Sequence, residues 1–299
     1  AQAMVHGDGK PRPEALLVAA HPGADLSAAV AAANAALPDY ARIAAWQEVA
    51  PFTPSAGLLT GNGRLRRKAI AEVWLEGAPS FFDVLEAATW RDRLAFLAIA
   101  QVRAGLAGTI SRRAYLDYLE QAYHHVRHTV PLMREARAGL LDRPRLVRAL
   151  DDYIEEETGH EEWILADIAA AGGDADAARA SRPHPATAAM VDHAYARIAG
   201  GSPVSFFGMV YVLESVSVAL AQRGASAVAA NLGLPPEAFT YLTSHGALDQ
   251  EHMTFFARLV NGLERAEDRD AILTMAREMF GLFGAVFASI ALEDDHVAA

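Results

Sequence analysis

The sequence contains no cysteine. Disulfide bonds, thiolate zinc sites, iron–sulfur clusters and cysteine nucleophiles are therefore excluded as features of this chain. A chain without cysteine is compatible with a reducing compartment, and we expect a cytoplasmic location.

Positive charge is also scarce. The chain has 26 lysines and arginines against 37 aspartates and glutamates, which gives a net charge of −11. Such a balance argues against nucleic acid or an anionic membrane surface as the main partner. The most apolar segment, residues 204–221, contains Glu214 and three serines. That segment is too polar for a membrane span, so we expect a buried core helix there and no membrane span elsewhere.

Residues 1–76 show short, mixed signals that predict a small α/β domain. The predicted elements are strands at 14–20 and 44–49, a helix at 25–37 and a hairpin at 57–70. The hairpin is indicated by Asn62 and Gly63, a favoured turn pair between extended residues. A segment this short can form only a thin core.

Three motifs follow one another in this region. They are Pro-Glu-Ala-Leu-Leu-Val at 13–18, Leu-Pro-Asp-Tyr-Ala-Arg at 37–42 and Gly-Leu-Leu-Thr-Gly-Asn-Gly-Arg-Leu-Arg-Arg at 57–67. Over about residues 4–70 the chain resembles the C-terminal end of adenylate-forming acyl ligases, in particular long-chain acyl-CoA synthetases. Arg64 stands where that family has its adenylating lysine, and the family's large ATP-binding domain is absent from this chain. The resemblance therefore implies the tail of a fused ligase or a degenerate remnant, without ligase activity of its own.

From residue 77 to residue 299 the pattern is helical. Apolar residues recur at i, i+3, i+4 and i+7, and glycine and proline separate the segments. The predicted helices span 81–107, 112–138, 143–172, 185–199, 203–222, 236–263 and 267–292. Seven or eight helices of this length predict an all-α bundle as a second domain.

The segment 244–256 carries the first candidate site. His245, Asp249 and His252 occupy positions i, i+4 and i+7, so on a helix they point in nearly the same direction. Two imidazoles and a carboxylate converging on one point suit an iron or manganese ion. The alternative is a polar stripe on a solvent-facing helix.

A second candidate is the pair Glu157 and His160, spaced i, i+3, so that one helix can present both side chains to a metal. Glu155 and Glu156 directly precede Glu157, so the assignment of the acidic ligand is left open by about one residue. The many acidic residues nearby make a solvated helix face the alternative. A nearby helix adds a third group of histidines, expected as supporting or surface residues: His124, His125 and His128.

A third candidate is Glu214, which lies among apolar residues on the 203–222 helix. An unpaired ionised carboxylate in such a place is costly, so Glu214 must be protonated, paired with an arginine or bound to a cation. Six apolar residues near the candidates form either a substrate pocket or ordinary core: Phe206, Phe207, Met209, Met253, Phe255 and Phe256.

Glu-x-x-His, then a lone glutamate in an apolar helix, then His-x3-Asp-x2-His resembles the haem-oxygenase-like diiron oxidases and oxygenases, over about residues 81–295. The resemblance implies a seven-helix bundle with two iron ions at its centre and O2 as co-substrate. It implies catalytic carboxylates at Glu157, Glu214 and Asp249. It also implies two ligand sets: Glu157, His160 and His245 for the firmly bound iron, and Glu214, Asp249 and His252 for a second, labile iron.

The expected function is therefore that of a non-haem diiron oxidase or oxygenase acting on a small organic acid, amine or acyl substrate. The ligase-like segment favours a carboxylic acid or acyl derivative, by association. The alternatives are manganese in place of iron, a metal-free TenA-like or PQQ-synthase-like helical enzyme, and a non-catalytic partner domain of an acyl-CoA or AMP ligase. A homodimer is left open.

Overall fold

The computed structural model describes residues 2–7, 12–21, 23–75 and 80–292, without the side chains of residues 245–251. The chain divides into two compact units, Ala1–Ser80 and Phe81–Ala299. The boundary predicted between residues 76 and 77 lies outside the described residues.

The first unit contains a three-stranded sheet of order β1-β2-β3 and two helices. Strand β1 pairs antiparallel with β2, and β2 pairs parallel with β3. Its small core includes Met4, Leu16 and Ile70. The elements in chain order are β1 (Gln2–His6), β2 (Glu14–Val18), α1 (Leu26–Ala35), β3 (Ala45–Glu48) and α2 (Arg67–Trp74).

Two predicted strands and one predicted helix of this unit are confirmed, with ends shifted by a few residues. The predicted turn is also present, because Leu59 bridges Leu65 in antiparallel fashion around Gly63 at φ 77°. The hairpin is shorter than predicted, since helix α2 already begins at Arg67. Strand β1 was not predicted, because only Met4 of its five residues is buried and its pattern is short.

The second unit contains helices joined by loops and has no strand among its described residues. In chain order its helices are α3 (Phe81–Leu97), α4 (Ala100–Ala107), α5 (Arg112–Val126), α6 (Thr129–Ala138), α7 (Pro144–Glu157), α8 (His160–Ala170), α9 (Ala175–Ala180), α10 (Pro185–Gly200), α11 (Phe206–Leu232), α12 (Thr240–Asn261) and α13 (Ala266–Ala288). The prediction of seven or eight helices is wrong for this described part, which has eleven. Three predicted helices are each divided in two, and the short α9 was missed.

Helix α11 supplies the centre of the larger core. Residues 206–212 are all buried, and α11 packs against both α12 and α13. Gly208 permits this close approach, because a Cβ atom there would clash with the carbonyl oxygen of Ile272 on α13. The predicted buried helix at 204–221 is thus confirmed, and it extends further, to Leu232.

Two stretches of the described chain, Pro203–Leu232 and Ala266–Ala288, are long and apolar enough to cross a membrane by length and composition. Their most apolar windows are 67% and 44% buried within the structure. A helix that supplies the core of a helical bundle passes the same test, so this observation is weak evidence for a span.

Candidate metal centre

Glu157 and His160 face each other across a break between two helices. Helix α7 ends at Glu157, and α8 begins at His160. The prediction that one helix presents both residues is wrong, because Gly159 adopts a φ of 94° that right-handed helix excludes. The two side chains still meet, with His160 Nδ1 3.0 Å from Glu157 Oε2. Both are largely buried, with exposed side-chain fractions of 5% and 11%.

A second acid–imidazole pair joins two long helices. His252 on α12 lies with its Nδ1 3.5 Å from Oε1 of Glu214 on α11. The other ring nitrogen of His252, Nε2, lies 2.7 Å from Oε2 of Glu156 at the end of α7. The side chains of Glu214 and His252 are 11% and 10% exposed, whereas that of Glu156 is 56% exposed. His252 is therefore held between an enclosed carboxylate and a solvated one.

One apolar cavity of about 200 Å³ connects the two pairs, because Glu157 and Glu214 both lie in its wall. Tyr153 and His125 also line it. Tyr153 packs its ring edge-on against the His252 imidazole, with 5.4 Å between the ring centroids. Two acids from different helices thus line the same cavity.

Two of the six apolar residues proposed as pocket or core serve as both. Phe206 and Met209 line the cavity and belong to the packed core, whereas Phe207 and Phe256 belong to that core without lining the cavity. Met253 packs against that core, and Phe255 is 39% exposed.

The remaining two candidates, His245 and Asp249, belong to helix α12, but their side chains lie outside the described residues. Among the side chains that the structure does describe, no group of three or more histidines, aspartates and glutamates is placed to hold a metal ion. The described donors instead form the two pairs above. Their chemistry fits iron, since imidazole nitrogen and carboxylate oxygen are the ligands of non-haem iron sites.

The histidines of helix α5 and its C-terminal end have different surroundings. His124 Nε2 lies 2.8 Å from the Ser181 hydroxyl, and His128 Nδ1 lies 3.2 Å from the Tyr195 hydroxyl. Burial lowers the pKa of His124 and also that of His128, and Arg127 lowers both further. That these histidines are supporting or surface residues stays a prediction, and the third histidine of the group, His125, lines the cavity.

The described helical unit has the haem-oxygenase-like fold. A domain of unknown function with that fold from Shewanella denitrificans is similar over 69% of this chain and 90% of its own, with a TM-score of 0.64 and 22% identity. A TenA homologue from Pseudomonas syringae is similar over 72% and 93%, with a TM-score of 0.60 and 13% identity. Haem oxygenase from Leptospira interrogans is similar over 70% and 98%, with a TM-score of 0.54 and 17% identity. At these identities the likeness establishes the fold alone.

A family model described as iron-containing redox enzyme matches residues 116–284, which is more than half of the chain. The protein therefore belongs to this haem-oxygenase-like family of iron-containing redox enzymes. No curated protein matches the sequence. The ligase-like residues 4–70 lie outside the matched range, so that resemblance stays a prediction.

Proposed function

We propose that the helical unit is an O2-dependent oxidase or oxygenase that uses non-haem iron and acts on a small organic substrate. The observation that carries the proposal is the pair of largely buried acids, Glu157 and Glu214, in the wall of one apolar cavity. Each acid has an imidazole beside it, His160 and His252 respectively. Such an arrangement offers mixed nitrogen and oxygen ligands next to a space for substrate.

Six residues would hold the iron: Glu157, His160, Glu214, His245, Asp249 and His252. The contacts of Glu157, His160, Glu214 and His252 are described above. His245 and Asp249 precede His252 by seven and three residues on the same helix, α12. Bound iron supplies the electron-transfer and O2 chemistry. A second iron ion belongs to the proposal, and manganese is the alternative metal.

Direct iron binding suits this cavity better than haem does. A haem iron takes its protein ligand at an axial position, commonly a single histidine, and the porphyrin supplies the other four donors. Here two carboxylates, Glu157 and Glu214, line the cavity itself. Buried carboxylates need a cation or a proton to offset their charge, and a metal ion bound by them directly meets that need.

The chain's own residues would bind and orient the substrate. The wall is mostly apolar and includes Phe206, Met209 and Leu213, so it favours an apolar body. At about 200 Å³ the cavity is smaller than the roughly 300–1,000 Å³ of typical ligand pockets. A compact organic acid, amine or acyl derivative fits this size, and the ligase-like segment favours an acid or acyl group.

A metal-free enzyme of the TenA kind is the second candidate. It is favoured by the finding that the described side chains include no group of three metal donors. In that case Glu157 and Glu214 would act as acids or bases on a substrate held in the same cavity.

Anaerobic titration of the metal-free protein with Fe(II) tests the proposal directly. We expect saturation at two equivalents, followed by O2 uptake and an absorbance change after mixing with O2. Magnesium is the matched control, because it prefers an all-oxygen, octahedral shell and should not saturate a site with imidazole ligands. Saturation at one equivalent would reduce the proposal to a single iron. Absence of Fe(II) binding would favour the TenA-like enzyme or a non-catalytic partner domain.

A further inference from the structure

Helix α12 begins without a capping side chain of its own. The first amide groups of any α-helix have no acceptor within the helix, and a serine, threonine, aspartate or asparagine at the N-cap normally satisfies one of them. Here the N-cap residue is Phe239, which supplies no side-chain hydrogen bond. Its ring is instead buried and stacked on Tyr115, with 5.0 Å between the centroids.

Asp167, on helix α8, supplies the missing acceptors. Its Oδ1 accepts the Thr240 amide at 3.1 Å, and its Oδ2 accepts the Tyr241 amide at 2.8 Å. Both amides belong to the first turn of α12, and Asp167 is fully buried. A second tie comes from helix α5, because the Tyr115 hydroxyl donates to the Ala238 carbonyl oxygen at 2.6 Å.

A buried carboxylate is a costly way to cap a helix. Burial raises the pKa of Asp167, although the hydrogen bonds from Tyr241 and Thr240 oppose the rise. A serine or threonine at position 239 could satisfy an amide locally without burying a charge. The long-range cap differs from such a local cap in one respect, because it fixes α12 to a second helix.

The two helices joined by this contact are the two that carry histidine ligands of the proposed centre. Helix α8 begins at His160, and α12 carries His252 as well as His245 and Asp249. Residues Tyr241 and Leu242, which lie in the capped turn, also line the cavity. We propose that Asp167 is a positioning residue that fixes the axial register of α12 against α8, and thereby sets the spacing of the iron ligands. This inference rests on the proposed function.

Three variants test it. Asp167→Ala removes both acceptors, and Asp167→Asn leaves one acceptor oxygen. Asp174→Ala is the matched control. Asp174 caps the short helix α9 by accepting the Ala177 amide at 2.9 Å, so this variant also loses a helix cap. The measurements are Fe(II) affinity by anaerobic titration and hydrogen exchange at the amides of residues 240–244, both well below the unfolding temperature of each variant.

We expect Asp167→Ala to weaken Fe(II) binding by about 10- to 100-fold, as the loss of a group that orients metal ligands typically does. Exchange at residues 240–244 should accelerate at the same time. Asp167→Asn should show smaller changes of both kinds, and if the alanine variant does not fold, the asparagine variant decides. Asp174→Ala should leave Fe(II) affinity and exchange at 240–244 unchanged.

Three results overturn the inference. The first is an Asp167 variant that loses thermal stability but keeps wild-type Fe(II) affinity, because the residue would then be structural only. The second is an unchanged exchange rate at residues 240–244. The third is an equal loss of affinity in Asp174→Ala. A wild-type protein that binds no Fe(II) would instead refute the proposed function. Accelerated exchange in Asp167→Ala would still establish that Asp167 holds the first turn of α12.

Discussion

Two groups of histidines in the helical unit have opposite kinds of partner. His160 and His252 lie against carboxylates, at 3.0 Å and at 2.7 and 3.5 Å. His124 and His128 lie against hydroxyl groups, at 2.8 and 3.2 Å. Among these four residues, the two candidate metal ligands have carboxylate partners and the other two have hydroxyl partners. A carboxylate partner alone does not define a ligand, since His193 Nε2 also lies 2.9 Å from Glu278 Oε2.

The physical basis of the difference is charge. A carboxylate next to an imidazole orients the ring and makes it a better metal donor, and it adds negative charge that attracts a cation. A hydroxyl group fixes the ring but adds no net charge. For His124 and His128, burial dominates and lowers the pKa, so these two imidazoles remain neutral in the folded protein at neutral pH.

The largest effect that would sharpen this comparison is expected from Glu214→Gln. The change keeps the size of the side chain but removes the charge beside His252. Fe(II) affinity should fall by more than the roughly 10- to 100-fold typical of residues that only support a ligand. The fold should persist, because a neutral amide costs less to bury than a carboxylate. Anaerobic Fe(II) titration and circular dichroism measure the two outcomes.

The control for Glu214→Gln comes from the other group of histidines. His124→Asn removes an imidazole that has two further histidines, His125 and His128, close to it in the sequence. Its hydrogen-bond partner is the Ser181 hydroxyl and not a carboxylate. Fe(II) affinity should stay within about twofold of wild type, since no liganding role is assigned to it. An equal loss in both variants would erase the distinction between the two groups.

A smaller effect is expected from Glu156→Gln. Glu156 lies 2.7 Å from His252 Nε2, and its carboxylate fixes which ring nitrogen faces Glu214. Because Glu156 is 56% exposed, water can replace part of its contribution. We expect Fe(II) affinity to fall by about tenfold, at the low end of the range for such supporting groups.

Glu155→Gln is the matched control for Glu156→Gln, since the neighbouring glutamate is also exposed and also ends helix α7. It should change affinity little. A larger loss from Glu155 than from Glu156 would mean that Glu155, and not Glu156, is the carboxylate that supports the site.

The fold of the helical unit was largely predictable, because its long apolar periodicities come from residues that are in fact buried. The divisions of three helices were not predictable from periodicity. At Gly159 the apolar pattern continues across the break, where the extended ψ of Thr158 and the left-handed φ of Gly159 interrupt the helix. Strand β1 was missed because its pairing with β2, and not its own composition, makes it a strand.

Two residues of the candidate site carry a local signal in the sequence. Glu214 stood out as an acid in an apolar helix, and His252 belonged to a spaced triplet. The contact of Glu156 with His252 and that of Asp167 with Thr240 join residues 96 and 73 positions apart. No local pattern indicates such pairs, so they become visible only when the helices are packed.

The smallest expected effect concerns stability and acid, and it tests the hydroxyl-paired group. Burial holds the pKa of His124 and of His128 below the ordinary 6.5 in the folded protein. Below about pH 6.5 the unfolded chain therefore binds protons that the folded protein does not. Stability contributed by the neutral imidazoles is fully present above pH 6.5 and is lost as the pH falls through the folded pKa values. Urea unfolding of the metal-free protein at pH 7.5 and at pH 5.5 should show a lower midpoint in acid.

The double variant His124→Gln and His128→Gln separates this cause from the titration of other groups. Glutamine does not titrate, so the difference between the two midpoints should shrink, because the unfolded chain no longer gains these two protons. Comparison at pH 7.5 shows how much stability the substitutions cost through lost hydrogen bonds with Ser181 and Tyr195, about 0.5–1.5 kcal/mol for each bond. If the double variant keeps the full acid sensitivity, the titrating groups lie elsewhere in the chain.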